Sequence, residues 1–263
     1  MVTDASSPLL APWRRWLWPE RDLIVVTGTT RPVLRGREAY HREHAIVSSE
    51  SDESRRLVER LVAGAGAAAV SLPVRESWGW TLTVPGSALG LFCGVEPDGR
   101  VCVRVREASP LRAAAVVQRQ RAGGPLVQSH VESTSTDPAR IVEHYFAQAE
   151  QTRARVAVDD GGDVVLVRPL PDARGADLLD RPDEDLREAV HRARANDRLE
   201  RLEDVLLYYG CRCNDEMVLE MIASLPDRQR REVWGDEREL EIECPRCGRR
   251  YRIRREDWSA GPR

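Results

Sequence analysis

The chain contains no lysine: all 40 of its basic residues are arginine. That reads as a bias of composition rather than as chemistry. Aromatic residues are scarce, at 5%. No apolar run reaches the ~18 residues that a membrane span needs. The first twenty residues also lack a signal-peptide core, because Arg14 and Arg15 interrupt Trp13, Trp16 and Trp18. These absences predict a cytoplasmic protein with no membrane partner, in a compartment where thiols stay reduced. An excess of one charge is missing too. The net charge is −3 although 32% of residues are charged, so there is no global nucleic-acid footprint.

Signatures of catalysis are missing as well. His41-Arg42-Glu43-His44 lacks the i,i+4 histidine spacing of a zinc protease and reads as surface chemistry. Gly64 and Gly66 are not followed by Gly-Lys-Ser/Thr, so they make no phosphate loop. No Ser/His/Asp set can be assigned. The expectation is that the chain is not an enzyme and has no catalytic residues.

The 263 residues are enough for one large domain or two unequal ones. Residues 1–20 read as a lead-in whose tryptophans pack on the first domain. Residues 22–170 interleave strand-like and helix-like segments, which predicts an α+β domain. Leu23 to Val26 reads as a strand. Glu53 to Leu61 reads as a helix running into the small-residue stretch Ala63 to Val70, which suits a buried helix. Trp80 to Val84 and Val101 to Val105 alternate, and Pro97-Asp98-Gly99 predicts a hairpin between Val95 and Val101. On that hairpin Cys93 and Cys102 are expected either to face each other or to be two buried apolar thiols, the second reading being favoured. Asp137-Pro138 marks a helix start, and Gly161-Gly162 joins another pair of strands.

Pro169 and Pro171 close this region. Residues 181–204 then hold six arginines and eight acidic residues. Leu186, Val190, Leu199, Leu202 and Leu206 give a thin apolar stripe, read as a charged helix with pairs such as Glu188 and Arg192. The predicted layout is an α+β domain at 1–172, a charged helical linker at 173–205 and a small C-terminal module at 206–263.

That last module carries the chemistry. Cys211-Arg212-Cys213 is followed, thirty residues on, by Cys244-Pro245-Arg246-Cys247. Two close thiol pairs supply a tetrahedral all-sulfur site that suits Zn²⁺ at about 2.3 Å per bond. The predicted metal ligands are therefore Cys211, Cys213, Cys244 and Cys247. Bound thiolates are also the form that oxidants attack. Between the pairs, Asn214 and Asp215 cap a short helix with Val218, Met221, Ile222 and Leu225 inward, ended by Pro226; Gly235 marks a turn. Glu239 to Glu243 and Arg250 to Arg254 then alternate with period two. Folding them about the second cysteine pair sets Glu243 opposite Arg250, Glu241 opposite Arg252 and Glu239 opposite Arg254. The apolar Leu240 and Ile242 meet Ile253 and Tyr251 on the other face. The same register neutralises three of the six C-terminal arginines (Arg246, Arg249, Arg250, Arg252, Arg254 and Arg255), which weakens a nucleic-acid reading.

The stretch from Cys211 to Trp258 resembles the redox-regulated 33-kDa heat-shock protein family of cytoplasmic chaperones. The cysteine spacing, Leu225-Pro226-Asp227 after a helix, and the hairpin ending in Tyr251 carry the likeness. So do His144-Tyr145-Phe146-Ala147-Gln148-Ala149-Glu150-Gln151 and Val164 to Pro171 upstream. Two departures stand out: Ala149 replaces a serine, and Arg153-Ala154 replace Pro-Thr. The segment between Pro171 and Cys211 is also short for the family. The resemblance implies a substrate-binding domain, a metastable linker and a zinc switch. It implies that oxidation forms the disulfides Cys211–Cys213 and Cys244–Cys247, expels zinc and unfolds the linker. Exposed apolar surface then holds unfolding client proteins without ATP, with a homodimer of the oxidised form as a further partner. The alternative is a zinc-ribbon interaction protein with a purely structural metal that touches nucleic acid through its C-terminal arginines. A disulfide isomerase using the Cys-x-Cys pair is the third reading.

Overall fold

The computed structural model describes residues 11–47, 50–84, 87–107 and 114–256. The lead-in before residue 11 and Trp258 lie outside the described residues. In chain order come β1 (Ala11–Trp18), β2 (Leu23–Thr29), α1 (Arg31–Glu43), α2 (Asp52–Val70), β3 (Ser77–Thr83), β4 (Leu89–Val95), β5 (Arg100–Glu107), β6 (Ala114–Gln120) and β7 (Leu126–Val131). Next are α3 (Pro138–Gln148), β8 (Arg155–Val158), β9 (Asp163–Pro169), α4 (Asp183–Ala195) and β10 (Glu200–Tyr209). The C-terminal module holds α5 (Asp215–Ala223), α6 (Asp227–Trp234), β11 (Glu239–Glu243) and β12 (Arg250–Arg254). The fold is α+β with a small cysteine-rich C-terminal module, as the sequence predicts.

Strands β1 to β10 form one sheet in the order β7-β6-β3-β4-β5-β10-β1-β2-β9-β8. It is two antiparallel halves joined by a short parallel junction, in which Tyr208 lies beside Arg100 and Tyr209 beside Val101. Gly99 makes the junction fit. Its φ is +89°, and a Cβ there would stand 1.9 Å from the Leu206 carbonyl oxygen, so no side chain is tolerated.

Helix α2 is the hub of the core. Ser51 caps it by accepting from the Ser54 amide at 3.1 Å. Its second half is the small-residue run, and the absent side chains are what let its neighbours close in. A Cβ on Gly64 would sit 2.8 Å from Val142, and one on Gly66 3.1 Å from Leu207. Asp137 caps α3 by accepting from the Ala139 amide at 3.0 Å, and Tyr145 and Phe146 are buried.

Two sequence expectations are corrected. The lead-in is not an appendage from Ala11 onward: it is β1, paired on both sides by β2 and β10, with Trp13 in the core. Arg15 disguised it, being an almost buried arginine that salt-bridges Glu203 at 3.2 Å. Secondly, the charged helix stops at Ala195. Residues 200–209 are the strand β10, in which Val205, Leu207 and Tyr209 are buried while Leu202 and Leu206 are exposed. The leucine spacing mimicked a helical stripe, but the period-two set won because β1 and β5 offer it partners on both edges. The favoured reading of Cys93 and Cys102 holds: both are buried thiols, and they do not face each other. Cys93 pairs with Val103 and Cys102 with Gly94, so the two thiols leave opposite faces of the sheet.

The remaining helix, α4, covers the other face of the sheet. Leu186, Val190 and Ala193 are buried against Leu23, Val25, Ala157 and Val167. Asp183 meets Arg140 and Arg155, each at 2.6 Å, and Glu188 meets Arg192 at 3.2 Å. Burying one leucine and one valine contributes about 3–6 kcal/mol, an upper bound.

Candidate metal centre

Cys211 and Cys213 are presented by the chain as it leaves the parallel junction: Gly210 donates its amide to the Val101 carbonyl at 2.9 Å, and Cys211 comes next. Asn214 then turns the chain into α5, capping it by accepting from the Met217 amide at 2.7 Å. Val218 and Ile222 point inward as expected, but Met221 is half-exposed, since α5 is short and shows only one side to the module. Helix α6, which the sequence reading missed, seats Trp234 in the module.

The β11–β12 hairpin has the predicted register at all five positions, from Glu239 opposite Arg254 to Glu243 opposite Arg250. Tyr251 and Ile253 are buried beneath it. Arg250 meets Glu241 at 3.3 Å and Arg252 meets Glu241 at 3.7 Å. Arg254 departs from the expected pairing and reaches Glu256 at 3.6 Å. The hairpin turn is a tight knuckle: the Cys244 amide donates to the Arg249 carbonyl at 2.8 Å and the Gly248 amide to the Cys244 carbonyl at 2.9 Å.

This framework brings all four predicted thiols together. Their sulfurs lie within 4.8 Å of one another, with Cys211–Cys244 at 3.9 Å and Cys213–Cys247 at 3.4 Å. A tetrahedron with bonds of about 2.3 Å has edges of roughly 3.8 Å, so the set can hold a metal ion. Cys213, Cys244 and Cys247 are buried and Cys211 is partly exposed. The thiols share hydrogen bonds, chiefly from Cys211, which push Cys244 down to about 6 and Cys213 down as well.

The centre does not stand apart from the sheet. Tyr40 of α1 places its hydroxyl 3.7 Å from the Cys247 sulfur. Arg104 of β5 donates to the Cys244 carbonyl at 2.9 Å and ion-pairs with Glu243. Arg246 reaches back to Glu96 at 2.5 Å and lies over the Phe92 ring. Glu96 also draws Arg212 to 3.8 Å. Each cysteine pair thus contains an arginine aimed at one buried carboxylate of the sheet. None of Tyr40, Glu96 and Arg104 was found from the sequence. They come from strands and a helix distant in the chain, and α1 carries no signal beyond its own weak pattern. His41, read as surface chemistry, is half-enclosed near Tyr209; burial first and the Arg37 charge second push it down to about 4.

Fold and site together define an α+β sheet protein bearing a four-thiol, metal-binding C-terminal module. The family model described as "Hsp33 protein" matches residues 102–254, more than half of the chain. The 33 kDa chaperonin of Hahella chejuensis is 25% identical over 170 residues, covering 55% of this chain and 58% of that protein. The chain thus matches little more than half the length of that relative. The crystal structure of the 33 kDa chaperonin (heat shock protein 33 homolog) of Thermotoga maritima has a similar fold. Its TM-score is 0.69 at 17% identity, over 96% of this chain and 97% of that one. The chain belongs to the Hsp33 family. No helix among the described residues is long and apolar enough to cross a membrane.

Proposed function

We propose that this is a cytoplasmic, redox-regulated holdase chaperone that works without ATP. Family membership supports a chaperone and a non-enzymatic role. The observation that carries the regulated part is the four-thiol cluster inside a module whose small buried cluster has three of those thiols among its eight members. Zn²⁺ suits this donor set and, when bound, holds the four thiolates in one compact arrangement. Cys211, Cys213, Cys244 and Cys247 would hold it. Oxidation to Cys211–Cys213 and Cys244–Cys247 disulfides removes the donors and with them the module's main support.

The division of labour we propose is client binding by residues 1–172, loosening of residues 173–205, and switching by residues 206–263. Strand β10 adds a physical constraint. It sits between β5 and β1, so loosening must start at its weakest edge, the two-residue parallel junction to β5. That junction lies directly before Cys211, so loss of the cluster frees the end of the strand that is least paired. Unfolding proteins are the partners, and the oxidised form is proposed to dimerise.

The test tracks zinc release with a chelating dye during peroxide treatment at mild heat, with client aggregation assayed in the same samples. Simultaneous zinc release and protection, both reversed by reductant and zinc, is the expected result. Retention of zinc, or release without protection, would leave the metal purely structural.

A further inference from the structure

A fifth thiol adjoins the cluster. The β4–β5 register turns Cys93 into the core with α2 and turns Cys102 to the opposite face, where the C-terminal module sits. Gly94 opposes Cys102 across that register. A Cβ there would lie 3.0 Å from the Cys102 sulfur and 2.5 Å from the Arg246 Nη2, so thiol and guanidinium share the space that the glycine leaves. Strand β10 runs beside β5 with Tyr209 next to Val101, and Gly210 donates to the Val101 carbonyl at 2.9 Å. One step further along, Gly210 falls beside Cys102 and Cys211 follows as its diagonal neighbour, at roughly 6 Å for strands about 4.8 Å apart with a rise of about 3.3 Å per residue. That suits the Cα separation a disulfide needs, about 4.4–6.8 Å. The two thiols are near enough for each to act on the other electrostatically. Cys102 is 2% exposed, whereas Cys211 is the one member of the cluster open to solvent.

We propose that Cys102 is a resolving thiol for Cys211, and that oxidation forms a Cys102–Cys211 disulfide which staples the C-terminal module to strand β5. It rests on the reading of the cluster as oxidant-responsive and adds a competitor to the local Cys211–Cys213 bond. Peroxide is the oxidant. The Cys211 thiolate attacks one peroxide oxygen: an S–O bond forms, the O–O bond breaks and hydroxide leaves, giving the sulfenic acid. The Cys102 sulfur then attacks the Cys211 sulfur. An S–S bond forms, the S–O bond breaks, and the departing hydroxide takes the Cys102 proton as water. The two sulfurs lose two electrons and the peroxide gains them. The product differs in kind from a Cys211–Cys213 bond. It keeps the module on the sheet, whereas the local bond leaves it free to separate.

The arrangement of arginines makes the test direct. Arg104, Arg212, Arg246 and Arg249 let trypsin place each cysteine of the region on its own peptide. The full-length, zinc-loaded protein is treated with graded peroxide, alkylated under acid quench, digested and mapped by mass spectrometry without reduction. The expected result is a reductant-sensitive cross-link between peptides 101–104 and 202–212 at the lowest effective peroxide. It should be lost in Cys102→Ser, with zinc content unchanged, and retained in Cys93→Ser. Complete alkylation of Cys102 alongside a Cys211–Cys213 bond would overturn the fifth-thiol assignment while leaving the redox reading intact. Absence of any disulfide among the five thiols would overturn both. Loss of zinc from Cys102→Ser would make Cys102 part of the metal site and overturn its role as a partner outside it.

Discussion

The sheet buries a continuous apolar core that runs from Trp13 through α2 to Leu207 and Tyr209. The hydrophobic cluster of the module after Gly210 has eight buried members, and three of them are cysteines. The first region can rely on area removed from water. The second has Val218, Ile222, Trp234, Tyr251 and Ile253 and little else, too few for a core of its own. The same chain thus contains one part stabilised by packing and one stabilised by thiol chemistry. On the function proposed above, oxidation would unmake the module without touching the core. The two regions meet through Tyr40, Glu96 and Arg104.

The largest expected effect breaks the comparison on the module side. Cys213→Ser removes a buried thiol from the cluster and should abolish tight metal binding. Limited trypsin digestion should then cut readily at Arg228, Arg230 and Arg231, while a core fragment holding α2 persists. Equal digestion of both regions would show that the module is not independently supported by its metal.

On the sheet side, Gly99→Ala puts a Cβ against the Leu206 carbonyl in left-handed backbone. A loss of about 2–4 kcal/mol in thermal unfolding is expected, with metal content kept in the folded fraction. Between the two regions, Glu96→Gln leaves Arg246 and Arg212 without their shared charge but keeps a partner for the Ser77 hydroxyl, now 2.9 Å from Glu96. The expected cost is about 1–3 kcal/mol of docking, seen as faster zinc release under peroxide. Unchanged release would make the arginine contacts incidental.

The smallest effect concerns pH. His41 is held at about 4 in the fold against 6.5 when free, so at neutral pH it is uncharged in the fold. Its contribution to stability is complete above pH 6.5 and is lost as pH falls from there toward 4. His41→Gln should flatten the acid limb of the stability profile, measured as melting temperature from pH 7 to 4.5.

What could be read from the sequence obeys the same divide. The hairpin register was legible because every Glu in β11 meets an Arg and every apolar residue meets another, so only one pairing satisfies both faces. The cysteine set was legible because each pair is local. Helices α2 and α3 announced themselves by caps and by a small-residue run. Strands β1 and β10 did not, because they pair with each other across most of the chain, and a buried Arg15 and an exposed Leu206 broke their local patterns. Edge strand β7 exposes Leu126 and Val127, so it carries no alternation to read. The Cys93–Cys102 relation turned on a single residue of register set by the turn at Gly99, which spacing alone does not fix.

Hydrogen exchange on the reduced, zinc-loaded protein and on the same protein after peroxide at mild heat compares the two regions in one experiment. Residues 211–254 should lose protection on oxidation, then the β10 end of the parallel junction, while α2 and β3 stay protected. Unchanged exchange in 211–254 after oxidation, or loss spread evenly over module and core, would contradict a module held by its thiols on a sheet held by its packing.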